Sequence, residues 1–214
     1  MSIEGLRLNA KKLLIKKFAD SRRKQLKNTE FTIISNNCWG GMVYESFNLP
    51  KQSPTVGLFF MADEYIRFLQ EFPNILGEEI KFISPYESRY IDFLRLDNRF
   101  GTYPIGMIGN IEISFLHYHS EEEVISKWRR RCERIVPENI LIKMNDQNLC
   151  TEEHIQKFEH IPLENKVFFS SKQYKGMDNL IYISEARKQE CVYASQEPVI
   201  FRRHFDEIKY INEL

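Results

Sequence analysis

The chain has 214 residues, 43% hydrophobic and 28% charged, which is enough for one sizeable core and too few for two large independent domains. Thirty basic side chains balance thirty acidic ones, so no global field drives the protein onto nucleic acid, and no nucleic-acid partner is expected. Within that balance, residues 1–30 carry nine Lys/Arg against three Asp/Glu, and the remainder carries the compensating acidic excess. The expected organisation is a basic helical segment over 1–30 followed by a single α/β domain over 31–214.

Four cysteines, Cys38, Cys132, Cys150 and Cys191, form no CxxC or Cys/His cluster, so neither a disulfide framework nor a zinc site is expected. No stretch reaches the ~20 apolar residues of a membrane span, and the first thirty lack the apolar centre of a secretion signal. A cytoplasmic protein is the expectation.

In chain order, MSIEGLRLNAKKLLIKKFADSRRKQLKN places Ile3, Leu6, Ala10, Leu13, Leu14 and Phe18 near one face of a basic amphipathic helix. Such a helix docks on its own domain, pairs with a second copy in a homo-oligomer, or touches an anionic surface at the inner face of the membrane. FTIIS (31–35) reads as a strand, MVYESFNL (42–49) as a short helix, TVGLFF (55–60) as a strand and ADEYIRFLQEF (62–72) as a helix. EIKFIS (79–84) and YIDFLRL (90–96) fit strand or helix. IEISFLHYH (111–119) alternates as a strand, with Ile111, Ile113, Phe115, His117 and His119 on one face. SEEEVISKWRRRCERI (120–135) opens with a Ser120/Glu123 capping box and repeats Val124, Trp128, Cys132 at helical spacing. NILIKM (139–144), KVFFS (166–170) and NLIYIS (179–184) are strands, and a helix capped by Thr151 separates the first two. Alternating strands and helices predict a three-layer α/β sandwich with a largely parallel or mixed sheet, preceded by the N-terminal basic amphipathic helix.

Ligands of such sheets bind beyond the carboxyl ends of the strands. That rule selects SNNCWGG (35–41), HYHS (117–120) and MNDQN (144–148). These stretches, together with YPIGMIGNIEISFLHYHSEEEVISKWRRRCERI, IKMNDQN and FEHIPLENKVFF, resemble a bacterial family catalogued as domain of unknown function nineteen-nineteen. The resemblance spans roughly residues 30 to 185. Some members are labelled exopolysaccharide or capsule biosynthesis proteins and some acetyltransferases, so it implies an α/β fold and a setting in surface-polysaccharide assembly. It supplies no catalytic residues.

Side-chain chemistry therefore nominates the site. Gly40 and Gly41 let the backbone approach a ligand, and a helix beginning near Met42 offers amide groups to an anion or oxyanion. Cys38 near that helix start is a candidate nucleophile or a small buried filler. His117 or His119 is the candidate base, with Asp146 as its orienter; the alternative is a satisfied core histidine and a surface one. No third and fourth ligand accompany the HxH pair, so no metal is expected. Ser35, Asn36, Asn37 and Asn145 are candidate binders of sugar hydroxyls, and Trp39 either stacks on a sugar or anchors its loop. Arg129, Arg130, Arg131 and Arg134 form a mainly solvated face from which one arginine could meet a phosphate.

The expected function is transfer of an acyl group, from a coenzyme A thioester, onto a sugar hydroxyl in surface-polysaccharide synthesis. A glycosyltransferase using a nucleotide-activated sugar and a non-catalytic glycan-binding or assembly protein are the alternatives.

Overall fold

The computed structural model describes residues 3–200 and 203–214. Its elements run α1 (Ile3–Arg23), β1 (Thr32–Ser35), α2 (Trp39–Ser46), α3 (Ala62–Glu71), β2 (Ile80–Ile83), α4 (Ile91–Leu94), β3 (Ile105–Ile108) and β4 (Ile111–Ser114). They continue with α5 (Glu121–Cys132), β5 (Ile140–Asn145), α6 (Glu152–His160), β6 (Lys166–Ser170), β7 (Leu180–Tyr182) and α7 (Glu207–Ile211). A parallel sheet has the order β1-β5-β6-β7, and a separate antiparallel sheet has the order β2-β3-β4.

The parallel strands are apolar on both faces because each face has its own core. Ile34, Ile142, Met144 and Phe168 point into a core shared with α3, α5, α6 and β4, through Tyr65, Phe68, Val124, Trp128, Phe158 and Ile113. Their neighbours Ile33, Leu141, Val167 and Phe169 point the other way, against Ile15, Trp39, Val43, Phe205 and Ile208. Odd and even positions of one strand thus go to opposite cores, so a sheet buried on both sides reads as a continuous apolar run.

Several local expectations are corrected. TVGLFF does not form a strand: Gly57 has φ +86°, the chain turns there, and only Phe59 bridges Ser114. The ambiguous 79–84 segment is a strand in β2, and 90–96 contains the short helix α4. The 111–119 segment is strand only through Ser114, in the antiparallel sheet rather than the parallel one. Beyond it the Phe115 amide bonds to Pro104 and that of Tyr118 to Phe115, which makes HYH a turn.

The N-terminal helix also turns its predicted face outward. Lys11, Ile15, Ala19 and Arg22 are the buried residues, whereas Ile3 (72%), Leu6 (56%), Leu13 (70%) and Phe18 (43%) are exposed. Buried cations are tolerated because each is satisfied: the Lys11 ammonium donates to the Ala194 and Glu197 carbonyls, and Arg22 pairs with the buried Glu207. The contacts on offer from residues 194–197 and from Glu207 of α7 outweigh the apolar pattern of the helix.

Candidate functional site

Helix α2 follows β1 and packs into one core, whereas α6 follows β5 and packs into the other. Since β1 and β5 are neighbours, the chain leaves adjacent strands toward opposite faces of the sheet. A crevice beyond their carboxyl ends results, the position where open α/β sheets hold ligands. Asn36, Asn37 and Cys38 follow β1 there, and Asp146, Gln147 and Asn148 follow β5.

The floor of the crevice is a buried polar network centred on Lys143. Its ammonium, wholly shielded from solvent, pairs with the equally buried Glu197 and donates to Asn37 Oδ1 at 2.9 Å and Asn36 Oδ1 at 3.3 Å. Glu197 Oε1 also accepts from Asn145 Nδ2 at 2.8 Å and Asn37 Nδ2 at 3.0 Å, while Asn36 Nδ2 donates to Asn145 Oδ1 at 2.9 Å. Burial lowers the Lys143 pKa and the Glu197 charge opposes that. Ser35, Asn36 and Asn145 are fully buried and committed to this framework, so they shape the floor from beneath. Asn37 and Gln147, joined at 3.3 Å, line the crevice itself.

One cavity opens on this floor, and a second adjoins it, sharing Cys38, Arg99, Leu116 and Ala194 in its wall. The first, of about 380 Å³, combines Phe59, Phe93, Leu94 and Tyr103 with the polar Asn37, Gln147 and Asn148. The other, of about 410 Å³, gathers Lys12, Lys51, Arg99, Lys127 and Arg131 around His117, with Glu45 as its single acidic lining residue. Lys51 pairs with Glu45 at 2.9 Å, Lys127 with Glu123, and Arg99 with Asp97 at 2.7 Å. Arg131 Nη1 donates to the Val56 carbonyl at 2.7 Å and to the Tyr118 hydroxyl at 2.6 Å, which fixes its position. A larger cavity, about 790 Å³, lies between α1 and residues 185–204, but holds none of the residues that follow β1 or β5.

Cys38 and His117 thus line one cavity, as neither adjacency in sequence nor a common strand requires. Their environments differ in consequence. Burial, followed by the charge of Glu197, pushes the Cys38 thiol up to about 11, and its sulfur faces the Leu58 carbonyl at 3.8 Å. His117 stands at the open side, where partial burial and then the cations Lys12, Arg99 and Lys51 lower its pKa, so the ring is neutral at pH 7.

Other nominated residues sit elsewhere. His119 lies outside both cavities, its amide donating to Glu123 at 2.7 Å ahead of α5. Asp146 orients no histidine: its carboxylate accepts from the Ser171 amide and hydroxyl and from the Val192 amide, each at 2.7 Å, tying together the loops behind the crevice. Trp39 is fully buried, with its indole N–H on the Pro198 carbonyl at 2.8 Å and its ring edge-on to Phe169, so it anchors α2 and has no face for a ligand. Gly40 and Gly41 are inside α2, which begins at Trp39 rather than Met42. They admit a close approach of helix to sheet: a Cβ on Gly40 would meet Ile33 Cγ2 at 3.0 Å, and one on Gly41 would meet Val56 Cγ1 at 3.0 Å.

Lys143, Glu197 and the cations Lys12, Lys51, Arg99 and Lys127 were not legible as site residues, and Gln147 was legible only as part of the MNDQN stretch. A lysine inside the apolar run ILIKM is a signal for the first. Glu197 has none, because it arrives on an irregular segment. Arg131 is the arginine of its helix that reaches the crevice, whereas Arg129 and Arg130 stay on the exposed side. Among the described residues no three His, Cys, Asp or Glu side chains group to hold a metal ion, and no helix is long and apolar enough to cross a membrane.

The profile of a family described as Domain of unknown function (DUF1919) matches residues 9–213, and the chain belongs to that family. An uncharacterized protein of Haemophilus influenzae is 31% identical over 195 residues, covering 89% of this chain and 88% of its own.

Proposed function

We infer that the crevice belongs to a transferase whose activated donor carries phosphate, and that its most fitting reaction is acyl transfer from a coenzyme A thioester to a sugar hydroxyl. The observation that carries this is the set of five cations, Lys12, Lys51, Arg99, Lys127 and Arg131, in one cavity with His117. Cations gathered in a partly desolvated cleft suit a multiply charged phosphate donor far better than a neutral one. The adjoining cavity, apolar on one wall and lined by Asn37, Gln147 and Asn148 on another, suits a sugar, whose ring has apolar faces and hydroxyl edges.

His117 takes the acceptor proton in this reading, as a neutral imidazole facing the cavity. The hydroxyl oxygen then forms the new ester bond, the thioester C–S bond breaks, and the proton passes from the imidazole to the departing thiolate. The alternative route through a Cys38 acyl-enzyme is less favoured, since a shielded thiol is a poor nucleophile in its protonated form. The surface-polysaccharide setting rests on the family resemblance. The proposed location is the cytoplasm, at the inner face of the membrane, and the four unpaired cysteines accord with a reducing compartment.

The test is thermal stability against coenzyme A, acetyl coenzyme A and a panel of nucleotide sugars, repeated on His117→Ala and Arg99→Gln. A ligand at a hundred times its dissociation constant stabilises a fold by about 2.7 kcal/mol. A rise in melting temperature with a coenzyme A compound, reduced in Arg99→Gln and retained in His117→Ala without turnover, is the expected result. A rise with nucleotide sugars alone transfers the reading to a glycosyltransferase, whose diphosphate would use the same cations. No rise with any of them overturns a phosphate-bearing donor and leaves a non-catalytic glycan-binding protein as the better description.

A further inference from the structure

Helix α1 is fastened to the domain by one side only. Lys11, Ile15, Ala19 and Arg22 hold its inner face, and the Glu4 carboxylate accepts from the Ser195 amide and hydroxyl at 2.9 and 2.6 Å. On the outer face, Ile3, Leu6 and Leu13 are separated by three and seven residues, so their side chains follow one another along the helix. All three are more than half exposed, and Phe18 lies at the edge of the stripe with the Lys17 ammonium 5.7 Å from its ring. Scattered exposed leucines need no explanation, but an aligned row on a rigidly held helix does.

The charge around the row identifies what covers it. Arg7, Lys12, Lys16, Lys17, Arg23 and Lys24 are all exposed on or just beyond this helix, with Asp20 its lone exposed acid. Self-pairing of two copies along the row would bring two sets of cations together. An anionic lipid surface satisfies both halves of the pattern, because leucine and isoleucine enter the acyl boundary while lysine and arginine remain among the phosphate groups. The orientation demands no rearrangement, since the inner face remains docked. Leu8 and Lys12, on the flank of the same helix, line the basic cavity, so a helix lying on a bilayer holds that cavity beside the lipid headgroups.

We propose that the outer face of α1 docks the protein on anionic bilayers. This does not depend on the transferase reading, because it is tested by binding alone. The experiment pellets the full chain with vesicles of phosphatidylglycerol mixed with phosphatidylcholine, and with vesicles of phosphatidylcholine alone, at low and high salt. The expected result is co-sedimentation with the anionic vesicles, weakened by salt and at least about tenfold stronger than with neutral ones. Leu6→Glu/Leu13→Glu and, separately, Lys16→Gln/Lys17→Gln should each weaken it while leaving the melting temperature unchanged, since all four positions are exposed. Absence of binding to anionic vesicles overturns the proposal, as does equal binding by both variants. A dimer in sedimentation velocity that Leu6→Glu/Leu13→Glu dissociates also overturns it, by making the row a self-association surface.

Discussion

At the scale of single residues, the crevice separates two candidates that composition treats alike. Cys38 and His117 line one cavity, yet burial keeps the first protonated while the second is deprotonated at neutral pH. Alkylation follows the thiolate fraction, so iodoacetamide should modify Cys38 far more slowly than a free thiol at pH 8, with an inflection near pH 11 when the rate is followed against pH. A rate profile with its inflection below pH 9 would restore the covalent route. In the proposed transfer the acid limb of kcat/KM should lie below pH 6.5, where His117 takes a proton, and His117→Gln should have lost turnover across the whole profile. Sequence can nominate both residues by chemical type. It cannot show which one is shielded, because the burial of Cys38 is made by the fold, and the Leu58 carbonyl and the Glu197 charge that act on its thiol are distant in the chain.

Elements were legible where their stabilisation is local. Helix α5 follows its Ser120 cap and its Val124/Trp128 repeat, and the strands β1, β5 and β6 read as apolar runs since both faces of their sheet are covered. Residues 111–119 misled because alternation says that a segment has two faces, not which sheet it joins or where its ladder stops. NNCWGG misled more subtly. Its glycines look like a turn, but the turn is made by Asn36, Asn37 and Cys38, and the glycines instead let α2 settle onto β1 and Val56. Gly40→Ala should therefore destabilise the fold despite the better helix propensity of alanine, because a methyl 3.0 Å from the fully buried Ile33 overpacks a stiff β-branched neighbour. Overpacking costs roughly 1–3 kcal/mol against a propensity gain of up to about 1. Urea unfolding of Gly40→Ala reads the net; a stabilised variant would show that Ile33 yields and that the close approach is not needed.

At the scale of the whole molecule, the chain's two ends build one wall of the fold. Helix α1 reaches α7 through the Arg22–Glu207 pair and the 194–197 segment through Lys11, while the same segment sends Glu197 under the crevice to Lys143. Docking of the helix on its own domain was among the readings its pattern allows, but these partners were not legible, because a contact between residue 11 and residue 197 leaves no periodicity in either segment. It has a measurable linkage to pH. Burial lowers Lys11 from 10.5 to about 8, with Glu197, Glu207 and Glu4 opposing the shift and Lys143 reinforcing it. Below pH 8 the folded and unfolded chains both carry the proton. Between pH 8 and 10.5 the unfolded chain holds a proton that the folded chain has released, so this group makes stability rise with pH across that window, by at most about 3 kcal/mol. Cys38, Cys132, Cys150 and Cys191 act in the opposite sense above pH 9, because burial keeps them protonated in the folded chain, as do the buried tyrosines near pH 10. Lys143 and Lys166, lowered by burial, act with Lys11, so the bare stability curve does not isolate it. The difference between wild type and Lys11→Met cancels these other groups. Urea unfolding at pH 7.5, 9 and 10.5 should show the wild type gaining on the variant as pH rises. A constant difference would mean that the Lys11 ammonium keeps its proton throughout, held by the Ala194 and Glu197 carbonyls strongly enough to offset its burial.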